Sequence, residues 1–113
     1  MWFVERFPLV EALQGKYSIE IMNLRTLSPL DTKTIIDSVK KTGRCVIVHE
    51  APRTCGFGAE ISAQIMEKAL VYLEAPVERV TGFDTVVPLA QLEKAYLPDE
   101  QRITKAIERV MQF

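Results

Sequence analysis

The segment TGRCVIVHEAPRTCGFGAEI, residues 42–61, decides the fold of this chain. Its apolar run from Cys45 to Val48 is short and uninterrupted, which is typical of a strand that is covered on both faces. Gly43 lies before the run, and Gly56 and Gly58 come just before an apparent helix. The pattern predicts a buried strand, an irregular exit from that strand, and a helix that packs back against it.

Helices and a further strand are predicted on either side of this segment. Asp31 offers an N-cap for a helix with one apolar face, and Gly43 is where a left-handed C-cap would end it. A second helix is predicted from Phe57 to Leu73, ended by Pro76. Val77 to Thr81 is predicted to be the next strand.

The two ends of the chain extend the alternation of helix and strand. Tyr17 to Leu24 has the composition of a strand, and short helices are predicted at 10–14 and 89–95. Asp99 offers an N-cap for a C-terminal helix. The residues predicted to face inward from that helix are Ile103, Ile107, Val110 and Met111. With right-handed crossovers, this order predicts a parallel sheet sandwiched by helices.

Length and composition limit the classes of protein. A chain of 113 residues fits one domain with its own apolar core. Fourteen basic and fifteen acidic residues give a net charge of −1 with no basic stripe, so nucleic acid is not expected as a partner. No apolar run is long enough to span a bilayer, and the expectation is a soluble, intracellular protein.

One candidate chemistry is nucleophilic catalysis by Cys55 with His49 as its base. The two side chains would have to lie within hydrogen-bond reach, with Glu50 or Glu60 orienting the imidazole. The alternative interpretation is a loop cysteine and a strand-end histidine with structural roles. Cys45 is the second of the two cysteines, and the chain lacks the usual ligand set of a structural zinc site.

A second candidate is an anion or partner site at the start of the second helix. Backbone N–H groups of Gly56, Phe57 and Gly58, with Arg53 nearby, could hold a carboxylate or a phosphate. The favoured alternative is that the two glycines permit positive φ angles and close backbone approach. The match to a dinucleotide fingerprint is poor, because Ile61 stands where its third glycine belongs.

Paired carboxylates for acid–base catalysis would have to come from a small set of residues, and nothing in the sequence pairs them. The set is Glu50, Glu60, Asp84 and Glu93.

Longer stretches of the chain resemble one family. IEIMNLRTLSPLD (19–31), SVKKTGR (38–44), HEAPRTCGFGAEI (49–61) and EAPVERVTGFDTVVPLAQLEKAYLPD (74–99) are similar to the C-terminal, transketolase-like domain of the β subunit of 2-oxoacid dehydrogenase E1. That subunit occurs in the pyruvate and branched-chain 2-oxoacid dehydrogenases. The resemblance is collinear and nearly gap-free from Ile19 to Phe113, which makes it more specific than any short motif.

The resemblance implies a three-layer α/β/α domain with a five-stranded mixed sheet, one strand being antiparallel. It implies a noncatalytic part of an oxidoreductase whose thiamine diphosphate and magnesium are bound by other domains. The implied partners are the E1 α subunit, a second β subunit and, near Phe113, the peripheral-subunit-binding domain of E2. The implied location is the cytoplasm, or the mitochondrial matrix of a eukaryote. The residues that it assigns to a structural corner are His49, Glu50, Pro52 and Glu60.

The chain departs from the family pattern in two places. Cys55 stands where members usually have glycine, which argues against a positive φ angle at that position. Residues 1–16 do not match the strand and turn that open the family domain. The expectation is therefore a single domain, 1–113, whose first strand is truncated or replaced by foreign residues.

Overall fold

A computed structural model describes residues 13, 15–85 and 98–113. The elements, in chain order, are helix α1 (Thr32–Thr42), strand β1 (Val46–Pro52), helix α2 (Phe57–Ala69) followed by a 3₁₀ turn (Leu70–Tyr72), strand β2 (Glu78–Gly82) and helix α3 (Glu100–Gln112). Among the described residues, no helix combines the length and the apolar character needed to cross a membrane. The alternation of helix and strand confirms the predicted α/β class.

Helix α1 begins and ends at the residues that the sequence predicts. The carboxylate of Asp31 accepts hydrogen bonds from the backbone N–H and the hydroxyl of Thr34 at 3.2 and 2.6 Å. Gly43 has a φ of +72°, and its N–H donates to the carbonyl of Val39. These two caps pair backbone groups that a helix end leaves without intrahelical partners.

The described part of the sheet consists of β1 and β2, which pair in parallel as predicted. Val46 pairs with Glu78 and Val48 with Val80, but the next pair is Pro52 with Gly82. Extra residues of β1 therefore bulge out between Val48 and Pro52, and a bulge of this kind bends a strand and redirects its side chains.

Successive residues of β1 face opposite layers of the molecule. Ile47 packs with α1 and α2, in a cluster completed by Ile35, Ile36, Val39, Ile61, Ile65 and Ala69. Val48 packs with β2 and α3, in a cluster completed by Val80, Ile103, Ala106 and Ile107. This alternation places two helices on one face of the strands and one helix on the other, which confirms the three-layer α/β/α arrangement.

Some predicted boundaries are wrong. Residues 18–26 form neither strand nor helix, although Met22 and Leu24 pack against the core. Helix α2 ends at Ala69 rather than at Leu73, and Met111 of α3 is 39% exposed rather than inward-facing. An apolar pattern in the sequence indicates that side chains are buried, but a buried segment need not pair with a neighbouring strand.

Other expectations cannot be compared with the structure. The short helix at 89–95, nearly all of the one at 10–14 and the residues before Leu13 lie outside the described residues. Of the five implied strands, two are found in the described ranges 15–85 and 98–113, and the implied antiparallel strand is not among them.

Candidate functional site

The loop that follows β1 contacts both strand β2 and the loop that follows β2. Arg53 Nη1 donates to the carbonyl of Arg79 at 2.9 Å, and Arg79 Nη1 donates to the carbonyl of Arg53 at 3.1 Å. Arg53, whose guanidinium was a candidate anion ligand, is thus joined to Arg79 of the neighbouring strand by a hydrogen bond in each direction. This contact gives Arg53 a structural role at the strand ends.

Thr54 and Asp84 link the loops that follow β1 and β2. The Asp84 carboxylate accepts from the Thr54 backbone N–H at 2.8 Å and from its hydroxyl. These hydrogen bonds lower the pKa of Asp84 below its ordinary value, the hydroxyl contributing most. The sequence analysis missed this pair. The rule that the carboxyl ends of parallel strands lie side by side could have found it.

His49 lies on β1 with its ring against the start of α2. A Cβ placed on Gly58 would lie 2.3 Å from Nε2 of the ring, and one placed on Gly56 would lie 2.9 Å from its Cε1. Both ring nitrogens are buried, and neither has a hydrogen-bond partner within the described part of the chain. Burial, followed by the positive charge of Arg79, lowers the pKa of His49 and so favours the neutral ring.

The backbone angles of the loop reverse one expectation. Cys55, not a glycine, has the positive φ of +58°, whereas Gly56 is extended at −74°. The sequence-based doubt about Cys55 is therefore wrong, and the positive φ expected at the two glycines is wrong as well. Close approach is observed instead: a Cβ on Gly56 would lie 2.1 Å from the carbonyl oxygen of Pro52.

The structure does not form the hypothesised Cys55–His49 pair. Cys55 is exposed, whereas the nitrogens of His49 are buried without a partner in the described ranges. Glu60 accepts a hydrogen bond from Gln64 at 2.9 Å, and Glu50 is exposed on β1. Among the described residues, no carboxylate orients the imidazole. Burial raises the pKa of the other thiol, Cys45, to about 11, which disfavours its reactive thiolate form.

A small apolar cavity of about 160 Å³ lies between β1 and α2, beside His49. Its walls include Ile47, Phe57 and Ile61, together with the bulged backbone at Glu50 and Ala51. Gly58 also lines it. Of the residues that the sequence assigned to the helix start, Phe57 and Gly58 line this cavity, whereas Arg53 and Gly56 do not.

The described residues do not fit a magnesium-diphosphate site. Within the two long described ranges, no group of three or more His, Cys, Asp or Glu side chains could hold a metal ion. Asp84, the carboxylate nearest the strand ends, already accepts two hydrogen bonds from Thr54. We derive no chemical step through thiamine diphosphate or magnesium at these residues.

Among the described residues, the two most exposed large apolar side chains, Val71 and Phe113, mark two separate surfaces. The first, which we name the α2 patch, lies at the end of α2 and on the 3₁₀ turn: Met66, Leu70, Val71 and Tyr72, with Val71 88% exposed. The second is at the C-terminus, where Phe113 is 77% exposed. Contiguous apolar side chains at a surface often mark an interaction site.

Comparison with known proteins places the chain in a family. The family model described as "Transketolase, C-terminal domain" matches residues 9–103. The chain is 59% identical over 93 residues to a 2-oxoisovalerate dehydrogenase subunit beta of Pseudomonas aeruginosa, covering 82% of the chain and 26% of that relative. It is 50% identical over 96 residues to the mitochondrial 2-oxoisovalerate dehydrogenase subunit beta of Dictyostelium discoideum, covering 85% and 26%.

A third relative carries a different substrate in its name. The chain is 42% identical over 97 residues to a pyruvate dehydrogenase E1 component subunit beta of Staphylococcus epidermidis, covering 86% of the chain and 30% of that relative. The chain spans about a quarter to a third of the length of these curated relatives. The chain therefore belongs to the transketolase C-terminal domain family, and most of its length is similar to part of a 2-oxoacid dehydrogenase E1 β subunit.

Proposed function

We propose that this chain is the C-terminal assembly domain of an E1 β subunit in a thiamine-diphosphate-dependent 2-oxoacid dehydrogenase complex. In this proposal the whole chain, 1–113, is one domain, and cofactor and substrate are bound by other domains of the enzyme. The observation that carries the proposal is the 59% identity with a β subunit over most of the chain. The family match over residues 9–103 supports it.

The α2 patch supports a role in subunit contact. Its side chains present apolar surface, and the charged residue in contact is Lys40 of α1, whose ammonium lies 5.1 Å from the centre of the Tyr72 ring. A mostly apolar surface that includes a methionine and an aromatic residue has the composition of a protein interface core. We assign this patch to contact with a second β subunit or with the E1 α subunit.

Phe113 supports a separate role for the C-terminus. Its backbone N–H still donates to the carbonyl of Arg109, so the end of α3 is ordered, while its ring is mostly exposed. An exposed aromatic side chain on an ordered helix end can be buried by a partner at little entropic cost. We assign Phe113 to docking of the E2 peripheral-subunit-binding domain.

Two variants test these assignments, and each serves as the control for the other. Val71→Glu introduces a charge into the α2 patch and should weaken association with β or α subunits by about tenfold or more, because a buried unpaired charge is costly. It should leave E2 binding unchanged. Phe113→Ala should weaken E2 binding and leave subunit association unchanged. Calorimetric titration with a cognate E1 α subunit and with the E2 binding domain measures both. Equal effects of the two variants, or no effect of either, would overturn the assignments.

The identities with the relatives support a branched-chain substrate for the parent enzyme. The two relatives named for 2-oxoisovalerate are 59% and 50% identical to this chain, and the one named for pyruvate is 42% identical. The test is the ratio of kcat/KM for 2-oxoisovalerate and pyruvate in the assembled enzyme. A preference for pyruvate would contradict the assignment.

The location we propose is the cytoplasm in a bacterium and the mitochondrial matrix in a eukaryote.

A further inference from the structure

His49 occupies a space that the glycines of α2 leave open. Its Nε2 and Cδ2 would lie 2.3 and 2.7 Å from a Cβ on Gly58, and its Cε1 would lie 2.9 Å from a Cβ on Gly56. Real Cβ atoms do not approach other atoms so closely, so the ring and the two glycines determine each other. The imidazole is one of the side chains through which β1 contacts the first turn of α2, and Ile47 is another.

The ring has no polar partner in the described part of the chain. Both Nδ1 and Nε2 are buried without a hydrogen bond. A neutral imidazole leaves one donor and one acceptor unpaired in this position, which already costs stability. An imidazolium would place two unpaired donors and a positive charge in the same space, which costs more. The packing of His49 therefore requires the neutral ring.

The surrounding charges do not compensate for a proton on the ring. Arg79 on the paired strand β2 carries a like charge, and it adds to the burial that already lowers the pKa of His49. Of the other charged side chains on the neighbouring elements, Glu50, Arg53, Glu60 and Asp84 are exposed. Glu78 of β2 is half-buried and pairs with Arg109 at 2.9 Å. The hydrogen bonds of Arg53, Glu60 and Asp84 are also made to residues other than His49.

The cavity shares a wall with this contact. His49, Gly58, Phe57 and Ile61 line the space of about 160 Å³ between β1 and α2. The strand is bulged at the same place, so its backbone is not held in a regular ladder from Val48 to Pro52. Movement of the ring would therefore enlarge an existing opening and separate the start of α2 from the strand.

We propose that His49 is a proton-sensitive latch between β1 and the start of α2. The neutral ring keeps the helix seated on the strand. The protonated ring leaves its position against Gly56 and Gly58 and exposes the apolar cavity to solvent. This device is independent of the assembly role proposed above.

The wild-type chain provides the first test. His49 is the one histidine of the sequence, so its Cε1–H resonance is unambiguous in NMR spectra. We expect it to titrate with a midpoint below the ordinary value of about 6.5. Amide exchange of residues 57–61, corrected for intrinsic rates, should rise by up to about tenfold per pH unit below 6.5 until the ring is fully protonated.

Variants separate the latch from general acid effects. His49→Phe keeps a ring and removes both nitrogens, and it should abolish the pH dependence of exchange at 57–61. Glu50→Gln changes the adjacent titratable group and should leave that dependence unchanged. Arg79→Gln removes the like charge. It should raise the midpoint of the ring titration and the midpoint of the pH-dependent amide exchange together, which keeps the test decisive if His49→Phe does not fold. Titration at or above pH 6.5, exchange that does not follow the ring, or an unchanged response in His49→Phe would overturn the proposal.

Discussion

Gly58 lies at a tight contact between β1 and α2. In most exposed helix positions a larger residue improves on glycine, because glycine has a low helix propensity. At this position the space beyond the Cα atom is filled by the His49 ring and by Ile47, whose Cγ2 would lie 3.3 Å from an added Cβ. Packing therefore decides the residue, and helix propensity does not.

Gly58→Val should destabilise the chain by roughly 1–3 kcal/mol, because the branched side chain must displace His49. Ala63→Val, at an exposed position of the same helix, is the matched control and should cost about 0.5 kcal/mol through helix propensity alone. Urea unfolding measures both. Adding His49→Ala to Gly58→Val should recover part of the loss. Equal costs for the two valine variants would contradict the proposed contact.

Cys55 adopts a left-handed backbone angle that an L-residue takes at a cost of roughly 1 kcal/mol. Cys55→Gly relieves this cost, although glycine also gains entropy in the unfolded chain. Cys55→Val should destabilise, because a β-branched side chain fits this region poorly. We expect the midpoints of thermal unfolding to rank glycine at or above cysteine, and cysteine above valine. A valine variant as stable as the wild type would exclude the left-handed angle.

The helices differ in how firmly their ends are held. Helices α1 and α3 have aspartate N-caps, Asp31 and Asp99, which accept from the backbone N–H groups of Thr34 and Arg102. Helix α2 begins at Gly56 without a side-chain cap. Its start depends on packing against His49, which makes this end the one most sensitive to changes in β1.

Asp31→Ala should destabilise the chain by about 1 kcal/mol, because the first turn of α1 loses its cap. Asp37→Ala is the control on the same helix: it removes an exposed ion pair with Lys33 and should cost no more than about 0.5 kcal/mol. Chemical denaturation of both variants tests the difference. Indistinguishable midpoints would show that Asp31 does not act as a cap.

The link between Thr54 and Asp84 should appear in a carboxyl titration. Thr54→Val removes the hydroxyl that contributes most to lowering the pKa of Asp84, so this pKa should rise toward its ordinary value of about 3.9. Because the wild-type pKa is depressed, the link stabilises the fold at neutral pH, and its contribution is lost as the pH falls through the folded value. An unchanged pKa of Asp84 in the variant, measured by NMR, would show that the hydrogen bond does not form in solution.

Features formed by residues close together in the sequence were predicted well, and contacts between residues far apart in the sequence were not. The caps Asp31 and Gly43 are local features, and they were placed correctly. The segment 17–24 was predicted to be a strand from Ile19, Ile21 and Met22, but an apolar pattern cannot supply a paired neighbour. At the candidate site, the residue positions were predicted and the contacts were not. The hydrogen bonds from Arg53 to Arg79 and from Thr54 to Asp84 join residues that are 26 and 30 positions apart, respectively.

At the scale of the whole molecule, two apolar clusters on opposite faces of β1 form a core, while the α2 patch and Phe113 remain exposed. The pattern of helices and strands predicted the layers, because each amphipathic element must bury its apolar side. The assembly role that we propose rests instead on similarity to E1 β subunits over long stretches of sequence. The chain belongs to the transketolase C-terminal domain family, and its exposed apolar groups are the features that we propose connect it to partners.

The molar mass in solution tests this account most directly. The chain has a mass of 12.8 kDa, and light scattering after size exclusion should show a rise toward twice that value as concentration increases. Val71→Glu should hold the mass at that of one chain. A single-chain mass at every concentration, together with no measurable affinity for an E1 α subunit or an E2 binding domain, would contradict an assembly role.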